Sequence, residues 1–348
     1  MICLTLALAG LFSASDPWDL LRRAEQSRNL PSEGVVRTTM WSPRADGRVR
    51  TMGFHFRQGK DFREMFPENR DGPTILETDG HFAVIGSHGK RILERMLPPD
   101  QGHMDLELMR SNYEIAQEGE AQILGRRCAV IRLRPRHPAG SGQRLWIDET
   151  TGAILGRDQY DSRGQLLRRT RTEALRFLSQ DIRPTLTIPP RPAASATSLE
   201  AHGPVPLDQA SRWIGFAIPV PKAVPAGFDL RGIFPETCPD GSHSLRMSWS
   251  DGLSNINVFL HPNGCRRPMT PPQPTLRERL RHWFHLHGSG HRPPPPPMVA
   301  GSLGATQQAA AIGDLQEDLL LEILKSMGTP ERPFVRHPFP NHPPKEEP

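Results

Sequence analysis

The first half of the chain is organised as short runs in which apolar and polar residues alternate, separated by turn-forming residues. Within residues 48–57, Met52, Phe54 and Phe56 fall on one face of an extended segment, with small or polar residues between them. Such runs recur about every ten residues, and Asp79-Gly80 between two of them is a strong signal for a two-residue hairpin. The pattern predicts one long antiparallel sheet with an apolar face and a charged face.

The same pattern places the individual elements. A first helix is expected at 16–27, with Ser15 or Asp16 as its cap, and a second, short helix at 104–110. The predicted strands follow the alternating runs at 34–41, 48–57, 61–66, 74–78, 81–86, 89–96, 113–118, 120–124, 127–133, 144–148, 153–160 and 165–177. The expected fold class is α+β and mostly β: a curved antiparallel sheet with covering helices, followed by a smaller α+β domain.

The apolar face of so long a sheet must be covered by helices or filled by a ligand. Two helices are few for this task, which favours a groove, and aromatic and methionine side chains gather on the early strands. The candidates to line such a groove are Phe54, Phe56, Phe62, Met65, Phe66 and Phe82. An ordinary packed core explains the same alternation, and the pattern alone favours that alternative.

Residues 1–15 have the features of a secretory signal. Ile2 to Phe12 is an apolar run, and the small residues at 13–15 offer a cleavage site near Ala14 or Ser15. The run is shorter than the roughly 20 residues that a membrane-spanning helix needs. No Lys or Arg precedes it, which departs from the usual signal. We therefore expect a periplasmic or otherwise extracytoplasmic protein.

A change of composition after residue 178 divides the chain into two domains. Residues 179–209 are rich in Pro, Ala, Ser and Thr, which predicts a semi-extended linker. The 37 prolines and a hydrophobic share of only 36% agree with folded domains diluted by linker and tail. We expect a first domain at 16–178, a second at 210–328 with a His- and Pro-rich insertion at 266–300, and a disordered tail at 329–348.

In the second domain, alternating residues on either side of Ser250-Asp251-Gly252 predict a β-hairpin. Leu245, Met247 and Trp249 alternate on the first strand, and the return strand at 256–260 repeats the pattern. An amphipathic helix is expected at 316–327, because its leucines and isoleucine recur at helical spacing opposite charged residues.

Three cysteines follow the signal. Cys128 stands in an apolar stretch, which predicts a buried thiol. Cys238 and Cys265 each border a turn-like segment, and in an oxidising compartment we predict a disulfide between them. Such a bond closes a loop of nearly thirty residues and contributes about 3 kcal/mol by the chain-entropy model.

The insertion contains a cluster of histidines whose imidazoles are typical ligands of zinc or copper. These are His282, His285, His287 and His291. Their spacing matches no closed metal site, and no nearby cysteine or acidic residue completes a ligand set. A solvated His- and Pro-rich loop is therefore the favoured interpretation, and a metal site is not expected.

The distribution of charge and the absence of catalytic motifs argue against two classes of function, nucleic-acid binding and catalysis. The net charge is +5, and arginines are interleaved with acidic residues rather than gathered on one surface, which argues against nucleic-acid binding. The chain lacks the serine elbow, the zinc-protease helix motif, a phosphate loop and a Cys-x-x-Cys pair. A binding protein without a cofactor is therefore expected rather than an enzyme.

Several segments resemble, in order and spacing, the last strands of MucB/RseB amino-terminal domains. They are Asn112-Tyr113 through Gly125-Arg126, then 129–133, Arg144-Leu145-Trp146-Ile147-Asp148, Thr151-Gly152-Ala153-Ile154-Leu155 and 161–166. The hairpin at Ser250-Asp251-Gly252-Leu253, placed after a linker, resembles the strand pair of the carboxy-terminal domain of that family. The resemblance implies a fold like LolA and LolB for residues 16–178.

The resemblance also implies a regulatory role. MucB/RseB proteins are periplasmic, bind the exported part of a membrane anti-sigma factor, and release it when lipid or a lipopolysaccharide fragment occupies the large domain. By this resemblance the second domain carries much of the partner contact, with Trp249, Asp251, Leu253 and Phe259 as candidate residues. The insertion at 266–300 departs from the family pattern.

Three functions of different class stand at this point. The first is a regulator that binds an exported anti-sigma domain and restrains an envelope-stress sigma factor. The second is a lipid or lipoprotein carrier that uses the same apolar groove. The third is a secreted metal-binding protein that uses the histidine cluster. A carrier needs no second domain, so the segment 213–327 favours the regulator.

Overall fold

The computed structural model describes residues 16–41, 49–68, 74–78, 81–85, 91–96, 104–186, 203–237, 242–262, 298–303, 307–328 and 334–336. Within them the chain forms two antiparallel sheets, one of eleven strands and one of six, in two successive domains. The expected fold class, mostly β with few helices and a smaller second domain, is confirmed. No helix in this described part of the chain is long and apolar enough to cross a membrane.

The first domain begins with helix α1 (Pro17–Gln26). The Asp16 side chain caps it by accepting a hydrogen bond from the Trp18 amide at 3.0 Å, and Pro17 occupies the first turn, where no amide donor is missed. A 3-10 helix follows at Ser27–Asn29. The only other α-helix described in this domain is α2 (Leu106–Asn112), which Asp105 caps. The strands are β1 (Ser32–Trp41), β2 (Val49–Gln58), β3 (Phe62–Pro67), β4 (Thr74–Thr78), β5 (His81–Ile85), β6 (Arg91–Met96), β7 (Tyr113–Ile123), β8 (Arg126–Pro135), β9 (Gly142–Asp148), β10 (Ile154–Tyr160) and β11 (Leu166–Phe177).

The large sheet consists of two meanders joined at its centre. Its strand order is β6-β5-β4-β3-β2-β1-β11-β10-β9-β8-β7, so the first and last strands of the domain pair in the middle. Val36 lies opposite Thr172 and Met40 opposite Arg168 across that junction. The alternation predicted the meanders, with two predicted strands at 113–124 merging into β7 through a bulge near Gly119. It did not predict that β1 pairs with β11.

The hydrophobic core of the first domain lies over one end of the sheet. Three side chains of α1 are buried against β8 and β9: Leu20, Leu21 and Ala24. Their partners on the strands are Ala129, Ile131, Leu133, Leu145 and Ile147. We call the face that carries these residues the inner face and the opposite one the outer face.

The outer face carries arginines that are paired within the face. Asp158 is buried between Arg169 at 3.0 Å and Arg171 at 2.8 Å, and Arg171 stacks on Trp146. The side chains of Trp146 and Arg171 lie directly over Gly156, in space that a larger residue at this position would occupy. Positive and negative side chains therefore neutralise each other on the outer face, as their interleaved pattern in the sequence predicted.

The first residues of the predicted linker are fixed on the sheet. We call residues 181–186 the linker segment. Ile182 and Leu186 pack on the outer face against the cluster Phe62, Leu76, Ala83 and Ile85. Glu64, which is fully buried, accepts hydrogen bonds from the Thr185 hydroxyl at 2.9 Å and the Leu186 amide at 2.7 Å. A semi-extended linker was expected throughout 179–209, so this part is a correction; residues 187–202 lie outside the described residues.

The second domain packs two helices on a smaller sheet. The helices are α3 (Leu207–Ile214) and α4 (Glu317–Met327), and both contribute to one core with the sheet. The strands are β12 (Asp229–Thr237), β13 (His243–Ser250), β14 (Asn255–Pro262), β15 (Met298–Leu303), β16 (Gln307–Gly313) and β17 (Val335–Arg336), in the order β12-β13-β14-β16-β15-β17. The predicted hairpin is confirmed as β13 and β14.

The tail needs a second correction. Residues 329–348 were expected to be disordered, but Val335 and Arg336 pair with Ala300 and Val299 of β15. Phe334 packs against the core of the second domain, directly over Gly301. An apolar side chain next to an available sheet edge therefore outweighs the proline-rich composition around it.

Candidate functional site

The predicted groove residues do not share one face. Phe54 lies opposite Val36, and Phe56 opposite Met65, so these side chains belong to the inner face. Phe66 lies opposite His55 and therefore points to the outer face, as does Phe62, which is buried under the linker segment. The prediction of one groove is wrong for Phe62 and Phe66, because the strand period of two separates them from Met65. Phe82 belongs to β5, and its side chain lies outside the described residues.

The inner face carries an apolar patch beyond the strands that α1 packs against. On β1 to β3, Val36, Met40 and Phe56 are buried, and Phe54 and Met65 are half-buried. The core under α1 comprises other residues, on β7 to β9. The inner face thus combines a packed core at one end with a separate apolar surface towards the other end.

Two arginines of the inner face are half-buried. Arg157 lies between Leu145 of β9 and Thr170 of β11 in the register. Arg63 lies near Phe56, with its guanidinium carbon 6.0 Å from the ring centroid, and its Nε is buried with no hydrogen-bond partner among the described residues. A buried donor without an acceptor is unfavourable, so the position of Arg63 suits an added anion.

Three other arginines, Arg28, Arg63 and Arg168, act on the charge of Arg157, and we call the four the arginine group. Arg28 is itself paired with Glu25 at 3.7 Å. Burial and then repulsion from the other three members lower the pKa of Arg157 to about 10, and Asp314 of the second domain opposes this. Burial also lowers the pKa of Arg63, although Glu77 favours its charge. Like charges gathered at a partly enclosed, apolar surface are typical of sites that receive an anionic group.

The two domains meet where the β13–β14 turn enters the first domain. The Tyr113 hydroxyl donates a 2.6 Å hydrogen bond to Oδ2 of Asp251, and both residues are buried. The other carboxylate oxygen of Asp251 accepts from the amides of Leu253 at 3.0 Å and Ser254 at 2.7 Å, which fixes the turn. Burial raises the pKa of Asp251 further than these bonds lower it, and burial together with Asp251 raises the pKa of Tyr113.

The rest of the turn fits against α2. The Asp105 amide donates to the Gly252 carbonyl at 3.1 Å, and Gly252 has a φ of +97° with no space for a side chain against Asp105 and Met109. Leu253 packs against the core of the first domain. The Asn112 side-chain amide donates to the carbonyls of Gly227 at 2.8 Å and Asp251 at 3.1 Å. The second domain is therefore built into the first rather than tethered beside it.

A second contact between the domains lies at Asp314, just after β16. Its carbonyl accepts a hydrogen bond from the Ser141 hydroxyl at 2.9 Å, and Oδ1 accepts from Gln159 Nε2 at 3.4 Å. Within its own domain, Oδ2 accepts from the Asn255 amide at 3.1 Å. One carboxylate thus contacts β10 of the first domain and the start of β14 in the second.

The four predicted partner residues all make contacts within the chain. Trp249 belongs to the core of the second domain, and Phe259 is only 4% exposed. Asp251 and Leu253 form the domain contact just described. In this arrangement none of the four presents a large exposed surface, and their role in binding a partner stays a prediction.

The cysteine and histidine predictions have different outcomes. Cys128 is buried with a free thiol, as expected, and burial raises its pKa. Cys238, Cys265 and the four histidines at 282, 285, 287 and 291 lie outside the described residues, so the disulfide and the metal site stay predictions. Among the residues that the structure describes, no group of three His, Cys, Asp or Glu side chains is placed to hold a metal.

Sequence reasoning missed Tyr113, Asp314 and Arg157. For Arg157 a signal was available, because it stands two residues from Leu155 and Gln159 and so interrupts the inner side of a strand with a charge. For Tyr113 and Asp314 no local signal exists, since each acquires its role only from a residue far away in sequence.

Comparison with known proteins agrees with the predicted resemblance. Residues 61–194 match the family model of the MucB/RseB N-terminal domain. No curated protein matches the chain.

Solved structures extend the likeness to both domains. The complex structure of Pseudomonas aeruginosa MucA/MucB matches with a TM-score of 0.55 and 18% identity, over 92% of this chain and 100% of that chain. A crystal structure of MucB matches with a TM-score of 0.54 and 17% identity, over 90% and 98%. Another, of MucB in complex with MucA(peri), gives 0.53 and 19%, over 89% and 98%. At these identities the shared property is the two-domain fold.

Proposed function

We propose that this chain, whose residues 61–194 match the MucB/RseB N-terminal domain, is a periplasmic regulatory binding protein without catalytic activity. It binds the exported part of a membrane anti-sigma factor, senses lipid on its inner face, and so restrains an envelope-stress sigma factor. The observation that carries this proposal is the joint between the domains: the turn at Asp251 and Leu253 is inserted into the domain that carries the apolar inner face. Two sites so joined can influence each other.

The partner is inferred from the fold and its neighbours. Two of the structures with this fold are complexes of MucB with MucA, one of them with MucA(peri). We assign to this chain a partner of the same kind, an anti-sigma factor with an exported domain. Affinity capture from an envelope extract with the full mature chain tests it, and recovery of a single-span membrane protein with a cytoplasmic anti-sigma domain is the expected result.

The lipid is inferred from the chemistry of the inner face. The apolar patch of Val36, Phe54 and Phe56 suits acyl chains, and the arginine group suits a phosphate or carboxylate head group. We expect short-chain phosphatidic acid to bind and phosphatidylcholine of equal chain length to bind much more weakly. Arg157→Gln is expected to weaken phosphatidic acid binding about tenfold, the usual loss for one charged hydrogen-bonding group. Arg176→Gln, at an exposed outer arginine, is the matched control.

A lipid or lipoprotein carrier is the second candidate, favoured by the apolar patch alone. It differs from the regulator in what the capture experiment recovers: lipoproteins without an anti-sigma factor support the carrier and contradict the regulator. Metal binding by the histidines is the third candidate, and an empty protein after zinc loading excludes it.

A further inference from the structure

The turn between β7 and β8 holds a leucine in a conformation that is unfavourable for leucine. Ile123 lies opposite Arg126 in the register, so the turn consists of Leu124 and Gly125 alone. Both have a positive φ, +54° and +71°, as a type I′ turn requires. Such turns favour asparagine before the glycine, because a left-handed leucine brings its Cβ close to the following carbonyl oxygen. Among the residues that the structure describes, Leu124 is the only one besides glycines with a positive φ.

The strain at Leu124 is not offset by packing against the described residues. Leu124 is 45% exposed and belongs to none of the hydrophobic cores of those residues. A Cβ added at Gly125 would meet no atom within 4 Å, so the turn projects into open space. A residue that is both strained and exposed destabilises the folded chain by itself, which points to a contact with another molecule.

The turn lies at the end of the large sheet opposite to the domain contact. β7 begins at Tyr113, in that contact, and its 11 residues place the turn about 35 Å away. Leu30, also exposed, lies at the same end as the turn, two residues before Ser32 at the start of β1. Ser32 pairs with Phe177, and the guanidinium carbon of Arg126 lies 5.3 Å from the centroid of the Phe177 ring. This end of the sheet therefore presents two exposed leucines with an arginine between them.

The charges beside the turn suit the surface of a bilayer that contains anionic lipids. Arg126 pairs with Asp148 at 2.6 Å, but its side chain is 32% exposed whereas that of Asp148 is only 1% exposed. The positive member of the pair therefore faces the solvent. Arg127 pairs with Glu120, which is equally exposed, so this pair adds no net charge. At a bilayer surface, a leucine at the apex reaches the acyl chains while a guanidinium beside it stays among the head groups.

We propose that the β7–β8 turn is a docking point for a phospholipid bilayer, with Leu124 as the residue that inserts. Burial of the leucine side chain among acyl chains then offsets the strain of presenting it at the apex. A projecting turn has no cavity for a small ligand, so this contact is separate from the proposed lipid site on the inner face. It also leaves the domain contact, about 35 Å away, free.

The substitution Leu124→Asn separates the strain from the insertion. Asparagine suits the turn, so the melting temperature of the full mature chain is expected to rise by about 2 °C. Binding to vesicles of phosphatidylethanolamine and phosphatidylglycerol in equal parts, measured by co-sedimentation, is expected to weaken about tenfold because the inserting side chain is lost. Leu207→Asn is the matched control, since Leu207 lies in the second domain with a similar exposure of 43%, and it is expected to bind vesicles like the wild type.

Several results overturn the proposal. A wild-type chain that does not sediment with the vesicles does so, as does a Leu124→Asn variant that binds them as tightly as the wild type. If that variant instead forms a smaller oligomer than the wild type, with vesicle binding unchanged, the turn contacts a second copy of the chain. An equal loss in Leu207→Asn indicates unspecific hydrophobic attraction, and a lower melting temperature in Leu124→Asn contradicts the strain.

Binding of short-chain phosphatidic acid keeps this test independent of the proposed lipid site. Leu124→Asn is expected to bind it like the wild type, because the turn is not part of the apolar patch on the inner face. Loss of both vesicle and phosphatidic acid binding in this variant contradicts a separate docking point. Absence of phosphatidic acid binding in the wild type contradicts the lipid site on the inner face and leaves the docking point supported if the vesicle results hold.

Discussion

Tyr113 and Asp251 are 138 residues apart in sequence, yet the tyrosine hydroxyl donates a 2.6 Å hydrogen bond to the aspartate carboxylate in the buried contact between the two domains. The tyrosine begins the edge strand of the large sheet, and the aspartate forms the turn of the second domain's hairpin. A charged acceptor in a buried place needs such donors, and Asp251 has three, from Tyr113 and the amides of Leu253 and Ser254. The pair therefore fixes how the second domain is seated.

Removing the Tyr113 hydroxyl tests this role. Tyr113→Phe leaves one carboxylate oxygen buried without its donor, and we expect a loss of about 2 kcal/mol in the free energy of unfolding. Tyr160→Phe is the control, because Tyr160 is the only other tyrosine and is half-buried on the outer face. Urea unfolding of both variants measures the effect. Equal stability of the two variants contradicts the assignment.

The titration of Asp251 is expected to make the free energy of unfolding depend on pH. Its pKa is raised in the folded protein, so between the unfolded value of about 4 and the folded value the native state holds the extra proton. The stability contributed by this group is therefore present at low pH and is lost as the pH rises through the folded pKa. Asp251→Asn keeps the acceptor for Leu253 and Ser254 but does not titrate. Unfolding of both proteins from pH 4 to 8 is expected to show the wild type losing stability relative to the variant, and a constant difference argues against a raised pKa.

The close approach of Gly252 to α2 gives a steric prediction. Gly252→Ala places a methyl group 2.8 Å from the Asp105 carbonyl and the Met109 amide, at a φ of +97°. Gly164→Ala has a similar positive φ of +79° but open space around it. Backbone strain costs about 1 kcal/mol at either position, so the excess loss in Gly252→Ala measures the clash. We expect that excess as earlier thermal unfolding, and equal melting temperatures would falsify the tight fit.

The linker segment should detach when its buried acceptor is lost. Glu64→Ala removes the carboxylate that holds Thr185 and Leu186, and limited proteolysis is expected to cut near residues 181–186 several-fold faster, because local opening costs less free energy. Glu173→Ala removes an exposed carboxylate that pairs with Arg37 and is expected to change little. Unchanged cleavage in Glu64→Ala indicates that Ile182 and Leu186 hold the segment by packing alone.

Much of the fold was predictable because its signals are local. Period-two alternation marked almost every strand of the large sheet, and the sequence signals at Asp79-Gly80 and Ser250-Asp251-Gly252 marked hairpins that the structure contains. The candidate groove was predicted less well. Phe56 and Met65 share the inner face, but Phe62 and Phe66 do not, since counting aromatic residues along a segment ignores which face each one takes.

What the sequence by itself determined is the set of strands, the hairpins and the two-domain division, because each depends on residues close together in the chain. Only the tertiary structure decided that β1 pairs with β11, that Asp251 and Leu253 enter the first domain, and that Asp314 contacts Gln159. A contact between residues more than a hundred positions apart leaves no local pattern in the sequence. Its free energy comes from burial and hydrogen bonds that form only when both residues are in place in the folded chain. The alternation of apolar and polar residues predicts the strands of the long sheet. Which side chains meet on its inner face depends on strand pairings that form only in the folded protein.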